Sequence, residues 1–238
     1  MLDSVSRRSF LTLAGAALVA PPILFGKDKD DVPTLLDHIL LGCNDLDRGI
    51  EFVEENTGVR AAIGGVHLGR GTRNALLSLG ERRYLEIIAP DPKQSGVKDT
   101  LGLRQLTEPR LVGWAAHPGD LDAFAKKLRE AGVAFEGPTA GSRTRPDGRV
   151  LHWKTVNLAD DRHGLLPFFI EWSADSLHPS ADAPAGCTLD YFDVMSANPD
   201  ELTPVVQRLE IDLTVERSDK TRLRALFTGP KGDLGVTS

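Results

Sequence analysis

Two carboxylates stand inside apolar, strand-like runs. Glu86 lies in Tyr84-Leu85-Glu86-Ile87-Ile88, and Glu171 in Phe169-Ile170-Glu171-Trp172. Burying a charged carboxyl without a partner is costly, so each needs either a partner or an outward face, and strand alternation allows both. If burial raises its pKa, such a carboxyl can act as general base toward a proton beside a carbonyl; Glu171 is the candidate. A lone imidazole, His38, sits between Asp37 and Ile39 in another apolar run. An isolated strand histidine is commonly a hydrogen-bonded core residue.

Further polar residues could touch a ligand. Thr72 and Asn74 lie in one expected strand, where Asn74 could donate to a substrate oxygen. His152 and Trp153 are adjacent on another, so one should face a cleft and the other the outside. Arg143 and Arg145 flank Thr144 in a Gly/Pro-rich loop and could recognise a substrate carboxylate. His178-Pro179 reads as a structural linker or a lid contact, and His67, His117 and His163 as loop or surface residues. There is no serine nucleophile elbow, Walker motif or dinucleotide fingerprint, and Gly69-Arg70-Gly71 is too short for a phosphate loop.

The elements that must position these residues repeat along the chain. Residues 36–42 read as a strand, Asn44-Asp45 as a cap, Leu46–Asn56 as a helix and Gly58 as its stop. The plan recurs with a strand over Leu111–Ala116, cap Asp120, helix Leu121–Ala131 and Gly132. Asp45-Leu46-Asp47 matches Asp120-Leu121-Asp122 at an offset of 75. Strands follow over roughly 61–68, 73–79 and 83–89 in the first unit, and 135–138, 151–157 and 168–172 in the second. Gly80-Glu81 and Asp147-Gly148 are turn signals. A third start at Leu189–Met195 is followed by a helix near 200–209 and strands near 213–217 and 223–227, without an obvious final strand. The fold class is therefore α+β: tandem βαβββ modules around a cleft, with a partial third module. Modules are expected at 33–110, 111–180 and 181–238.

Ahead of them, Arg7-Arg8 precedes an apolar run from Phe10 to Phe25 that is broken by Pro21-Pro22. This is the pattern of a twin-arginine export signal over residues 1–26, followed by a charged linker at 27–32. The run is short for a membrane span, although an uncleaved leader could act as an anchor. A periplasmic or extracellular destination is expected. The net charge of −6, one unit more negative without the leader, argues against nucleic-acid binding. Cys43 and Cys187 form no C-x-x-C pair, so a thiolate zinc site is not expected. They could pair in an oxidising compartment, but two buried thiols are the commoner outcome.

Leu36-Asp37-His38-Ile39, Gly71-Thr72-Arg73-Asn74-Ala75-Leu76 and Tyr84-Leu85-Glu86-Ile87 resemble, in order and spacing, the glyoxalase-like branch of the vicinal-oxygen-chelate superfamily. Leu111-Val112-Gly113-Trp114, the segment from Gly141 to Gly148 and Leu165–Trp172 resemble its second half. The resemblance spans roughly residues 33–210 and implies paired modules folded into an open half-barrel around a small-molecule site, in many members with a divalent metal. Carried over residue by residue, it implies His38, Glu86 and Glu171 as metal ligands, with Gly113 empty at the fourth position. Such a set could take Fe, Mn, Ni, Co or Zn, which would act as a Lewis acid. Three functions stay open. One is a metal-dependent lyase, isomerase or dioxygenase acting on a small carbonyl or aromatic compound. The others are a metal-free protein that sequesters a small molecule and a structural pairing module. A homodimer is compatible with each.

Overall fold

The computed structural model describes residues 32–80 and 82–238. The expected export leader, the linker up to residue 31 and Glu81 of the expected turn lie outside the described residues. No helix among them is long and apolar enough to cross a membrane.

The first unit runs β1 (Leu36–Gly42), α1 (Leu46–Thr57), β2 (Ala62–His67), β3 (Thr72–Gly80) and β4 (Arg83–Pro90). The second runs β5 (Arg110–Ala116), α2 (Leu121–Glu130), β6 (Phe135–Thr144), β7 (Val150–Leu158) and β8 (Phe168–Trp172). The helix ends follow local chemistry. The Asp45 carboxylate accepts from Arg48 N and that of Asp120 from Ala123 N, satisfying backbone donors that a first helical turn leaves free. Gly58 ends α1 in the left-handed region, at φ 80°.

All eight strands form one sheet in the order β2-β3-β4-β1-β5-β8-β7-β6. The two units meet at the antiparallel β1–β5 pair, and in each the first strand runs parallel to the last: β1 with β4, β5 with β8. The sheet curls until its two edges approach, so that Gly65 on β2 lies against Arg143 and Thr144 on β6. Alternation then sorts side chains between the two faces. Ile39, Leu41, Leu85 and Ile87 turn outward to pack on Leu46, Ile50 and Val53 of α1 in the main core. Phe169 turns outward to meet Phe124 of α2. His38, Leu40, Tyr84, Glu86 and Ile88 turn inward.

The third unit corrects the expectation of a missing strand. It comprises β9 (Thr188–Ser196), α3 (Pro199–Arg208), β10 (Val215–Arg217), β11 (Arg222–Thr228) and β12 (Asp233–Thr237). Its four-stranded sheet has the order β10-β9-β11-β12, with β9 between β10 and β11. It therefore does not copy the pairing of the first two units. Phe192 of β9 packs edge-on against Trp114 of β5, fixing this sheet to the outer face of the larger one. The strand expected over 135–138 extends to Thr144, because Pro138 lies on the edge strand, at a register irregularity between Glu136 and Thr139. Cys43 and Cys187 are both buried free thiols. Burial pushes the Cys43 thiol up to about 12.

Candidate functional site

The concave face of the curled sheet encloses a cavity of about 280 Å³, at the small end of the range for ligand pockets. Its two sides differ. The first unit supplies a polar floor from β1, β2, β3 and β4. The second supplies an apolar wall in which Trp153 of β7 and Ile170 of β8 pack with Phe168 and Trp172.

The floor is built around Glu86. Asn74 Nδ2 donates to Glu86 Oε1 at 2.8 Å. His38 Nε2 lies 3.4 Å from Oε2, and His67 Nε2 3.7 Å from Oε1. Burial alone would raise the Glu86 carboxyl, but the imidazoles of His67 and His38, the Arg143 guanidinium and the Asn74 amide together hold it below its ordinary value. Glu86 is thus ionised at neutral pH although only 6% exposed. Burial depresses the His67 imidazole to about 4, against the opposing pull of Glu86, so His67 is neutral there. Its Nδ1 lies 2.9 Å from Thr72 Oγ1.

Behind the floor, Asp37 is fully buried and accepts from three side chains. His38 Nδ1 donates at 2.7 Å, His178 Nε2 at 3.2 Å and Trp172 Nε1 at 3.2 Å. Burial would raise this carboxyl, yet the hydrogen bonds from His178 and His38 drive it far below its ordinary value. Because Ser180 N donates to His178 Nδ1, the proton of a neutral His178 sits on Nε2, where Asp37 accepts it. Asp37 likewise takes the Nδ1 proton of His38 and so turns Nε2 toward Glu86. Tyr84 stacks on His38 with ring centroids 4.5 Å apart.

The structure brings His38, Thr72, Glu86, Arg143 and Trp153 to this cavity, while Asn74 is buried and meets the site only through its hydrogen bond to Glu86. It does not bring Glu171 or His152. Glu171 alternates outward between Ile170 and Trp172, and its carboxylate accepts from Leu121 N at 2.7 Å, at the N-terminus of α2. There it meets the positive end of the helix dipole. His152 is exposed on the outer face of β7 while its neighbour Trp153 faces in, as alternation requires. Two histidines are corrected the other way. His67 lines the cavity rather than a surface loop, and His178 is buried against Asp37 rather than free in a linker.

The implied metal set is corrected with Glu171. Among the described residues, no group of three or more His, Cys, Asp and Glu side chains is arranged to hold a metal ion. His38 and His67 face different oxygens of Glu86, and the Asn74 N–H stands between Glu86 Oε1 and His67 Nε2, 3.5 Å from the latter. At the empty fourth position, a Cβ on Gly113 would meet nothing within 4 Å. The donor set does not fit a chelated metal.

Residues 36–210 match the family model described as a glyoxalase-like domain. The chain belongs to this glyoxalase-like family. Among solved structures, a hypothetical protein from Staphylococcus aureus matches with a TM-score of 0.60 at 20% identity, over 85% of this chain and 84% of that one. A methylmalonyl-CoA epimerase from Mycobacterium tuberculosis matches with a TM-score of 0.42 at 20% identity, over 60% of this chain and 89% of that one. No match was found among curated proteins. At these identities the structural likeness concerns the fold, and the chemistry of this glyoxalase-like chain rests on its own residues.

Proposed function

We infer that this protein is a small-molecule enzyme that moves a proton to and from carbon beside a carbonyl, with Glu86 as the base. One observation carries this reading. An ionised, nearly buried carboxylate, hydrogen-bonded by Asn74 and bordered by two imidazoles, stands on the floor of a cavity whose opposite wall is apolar. The lowered pKa keeps Glu86 deprotonated at neutral pH, so it is available there to accept a proton from a substrate held against it. In the forward step Glu86 takes the proton from carbon, the electron pair of the broken C–H bond becomes the C=C bond, and the carbonyl π pair moves onto oxygen to give an enolate. Returning the proton to the same or the opposite face, or to another carbon, gives exchange, epimerisation or isomerisation. Asn74 orients Glu86 from below, and Asp37 fixes His38 so that Nε2 borders the carboxylate. Burial keeps Tyr84 a neutral phenol, its pKa raised well above the ordinary value, so it can present an O–H to the cavity.

The donors present do not make the ligand set that metal-assisted lyase or dioxygenase chemistry, with Fe, Mn, Ni, Co or Zn, would need. Sequestration without turnover is the second reading, favoured by the apolar wall. Residues 1–26 add a proposed twin-arginine route to the periplasm or beyond, supported by Arg7-Arg8 ahead of the apolar run. Incubating the protein in D2O with small aldehydes, ketones and oxo-acids, followed by proton NMR, tests the reading. Loss of an α-proton signal in the parent but not in Glu86→Gln supports it. Tight binding with no exchange across the panel would favour sequestration.

A further inference from the structure

Arg143 leaves two of its guanidinium donors unmatched among the described residues. It projects from β6 into the cavity and is 4% exposed. Its Nε and Nη2 find no hydrogen-bond partner among the described residues. Arginine stays protonated inside proteins, so the charge is real. Glu86 answers that charge through space without accepting either hydrogen. Leaving two such donors buried and unmade is among the more expensive things a folded protein does.

The two orphaned donors are not a random pair. Nε–H and Nη2–H point from the same edge of the planar guanidinium, the edge that accepts two oxygens in parallel from one carboxylate. The fold makes room for this. A Cβ on Gly65 would come within 2.7 Å of Thr144 O and 3.2 Å of the Arg143 stem, so the bare glycine, at φ 141°, lets that stem cross the seam where β2 meets β6. Thr155 Oγ1 is likewise buried without a partner and lines the same cavity. Trp153, Phe168, Ile170 and Trp172 supply apolar surface alongside.

We propose that Arg143 is the anchor for a substrate carboxylate, and that the natural ligand is a small monocarboxylic acid whose apolar or aromatic body lies against the wall formed by β7 and β8. This rests on, and narrows, the proton-transfer reading: a carboxylate clamped at Arg143 holds the rest of the molecule over Glu86. The cavity volume limits the ligand to a few carbons beyond the acid group or to a single ring.

Calorimetric titration of the purified protein with benzoate, phenylacetate, 3-phenylpropionate and pentanoate, each beside its own neutral amide, tests this without requiring turnover. At least one acid should bind ten-fold or more tightly than its amide. Arg143→Met should abolish that preference while still binding the amide, and Arg143→Lys, which keeps the charge and loses the fork, should retain only part of it. Glu86→Gln should keep or sharpen the acid preference while losing α-proton exchange, so that failure of the base and failure of the anchor show separately. Equal affinity for every acid and its amide would overturn the proposal. So would an acid preference that survives Arg143→Met.

Discussion

His67 offers a sharp quantitative test, because its environment fixes both a sign and a size. Its imidazole is held at about 4 against an ordinary value of 6.5, chiefly by burial. Between those values the unfolded chain binds a proton on this residue and the folded chain does not. Stability is therefore lost as pH falls through that window, and is essentially whole above pH 7. Integrating the difference gives a loss of about 2 to 3 kcal/mol on going from pH 7.5 to 4.5, a large share of the stability of an ordinary domain. His67→Gln removes the titration and keeps a neutral polar side chain. Urea unfolding of parent and variant at the two pH values reads the effect, and the depressed His117 titrates alike in both proteins and cancels. The variant should lose about 2 to 3 kcal/mol less than the parent between pH 7.5 and 4.5. If the two lose the same amount, His67 is not a buried neutral imidazole, and the account of the cavity floor fails with it.

The neighbouring contacts carry two more expectations. Asp37→Asn leaves at least one of the three donors around that site unmatched, and urea unfolding at pH 7 should show a loss of at least about 2 kcal/mol; a loss under about 0.5 kcal/mol would contradict the network. Glu171→Ala removes the acceptor for Leu121 N at the start of α2 and should cost about 1 kcal/mol in the same assay, with α-proton exchange unchanged. A collapse of exchange in that variant would return Glu171 to the role of base.

Much of the fold was legible because local chemistry and tertiary packing agree. Asp45, Gly58 and Asp120 mark helix ends through local capping chemistry that the sequence itself displays, and Leu36–Gly42 and Phe168–Trp172 read as strands because they are short apolar runs. The losses have physical causes. The final strand, Asp233–Thr237, is five residues long with a central glycine and draws its stability from pairing with β11 rather than from propensity. Within the site, Glu86 and Glu171 sit in equally apolar strands, and only the tertiary fold decides which faces in. Glu171 is claimed by a helix N-terminus 50 residues earlier in the chain. His67 falls at the end of the strand expected over 61–68, where the glycine-rich Leu68-Gly69-Arg70-Gly71 begins, and so reads as a loop or surface residue. The antiparallel pairing of β2 with β3 places it opposite Thr72, and its ring reaches within 3.7 Å of the Glu86 carboxylate on β4. The unmatched donors of Arg143 depend on where every other side chain lies, which no local pattern records.

The central claim is that Glu86 is a working base, and deuterium uptake at carbon tests it most directly. The parent protein, given in D2O a carboxylate-bearing ketone that it binds, should replace the α-proton with deuterium, and Glu86→Gln should bind the same compound while slowing exchange by at least about a hundred-fold. Exchange in Glu86→Gln at the parent's rate would contradict the account.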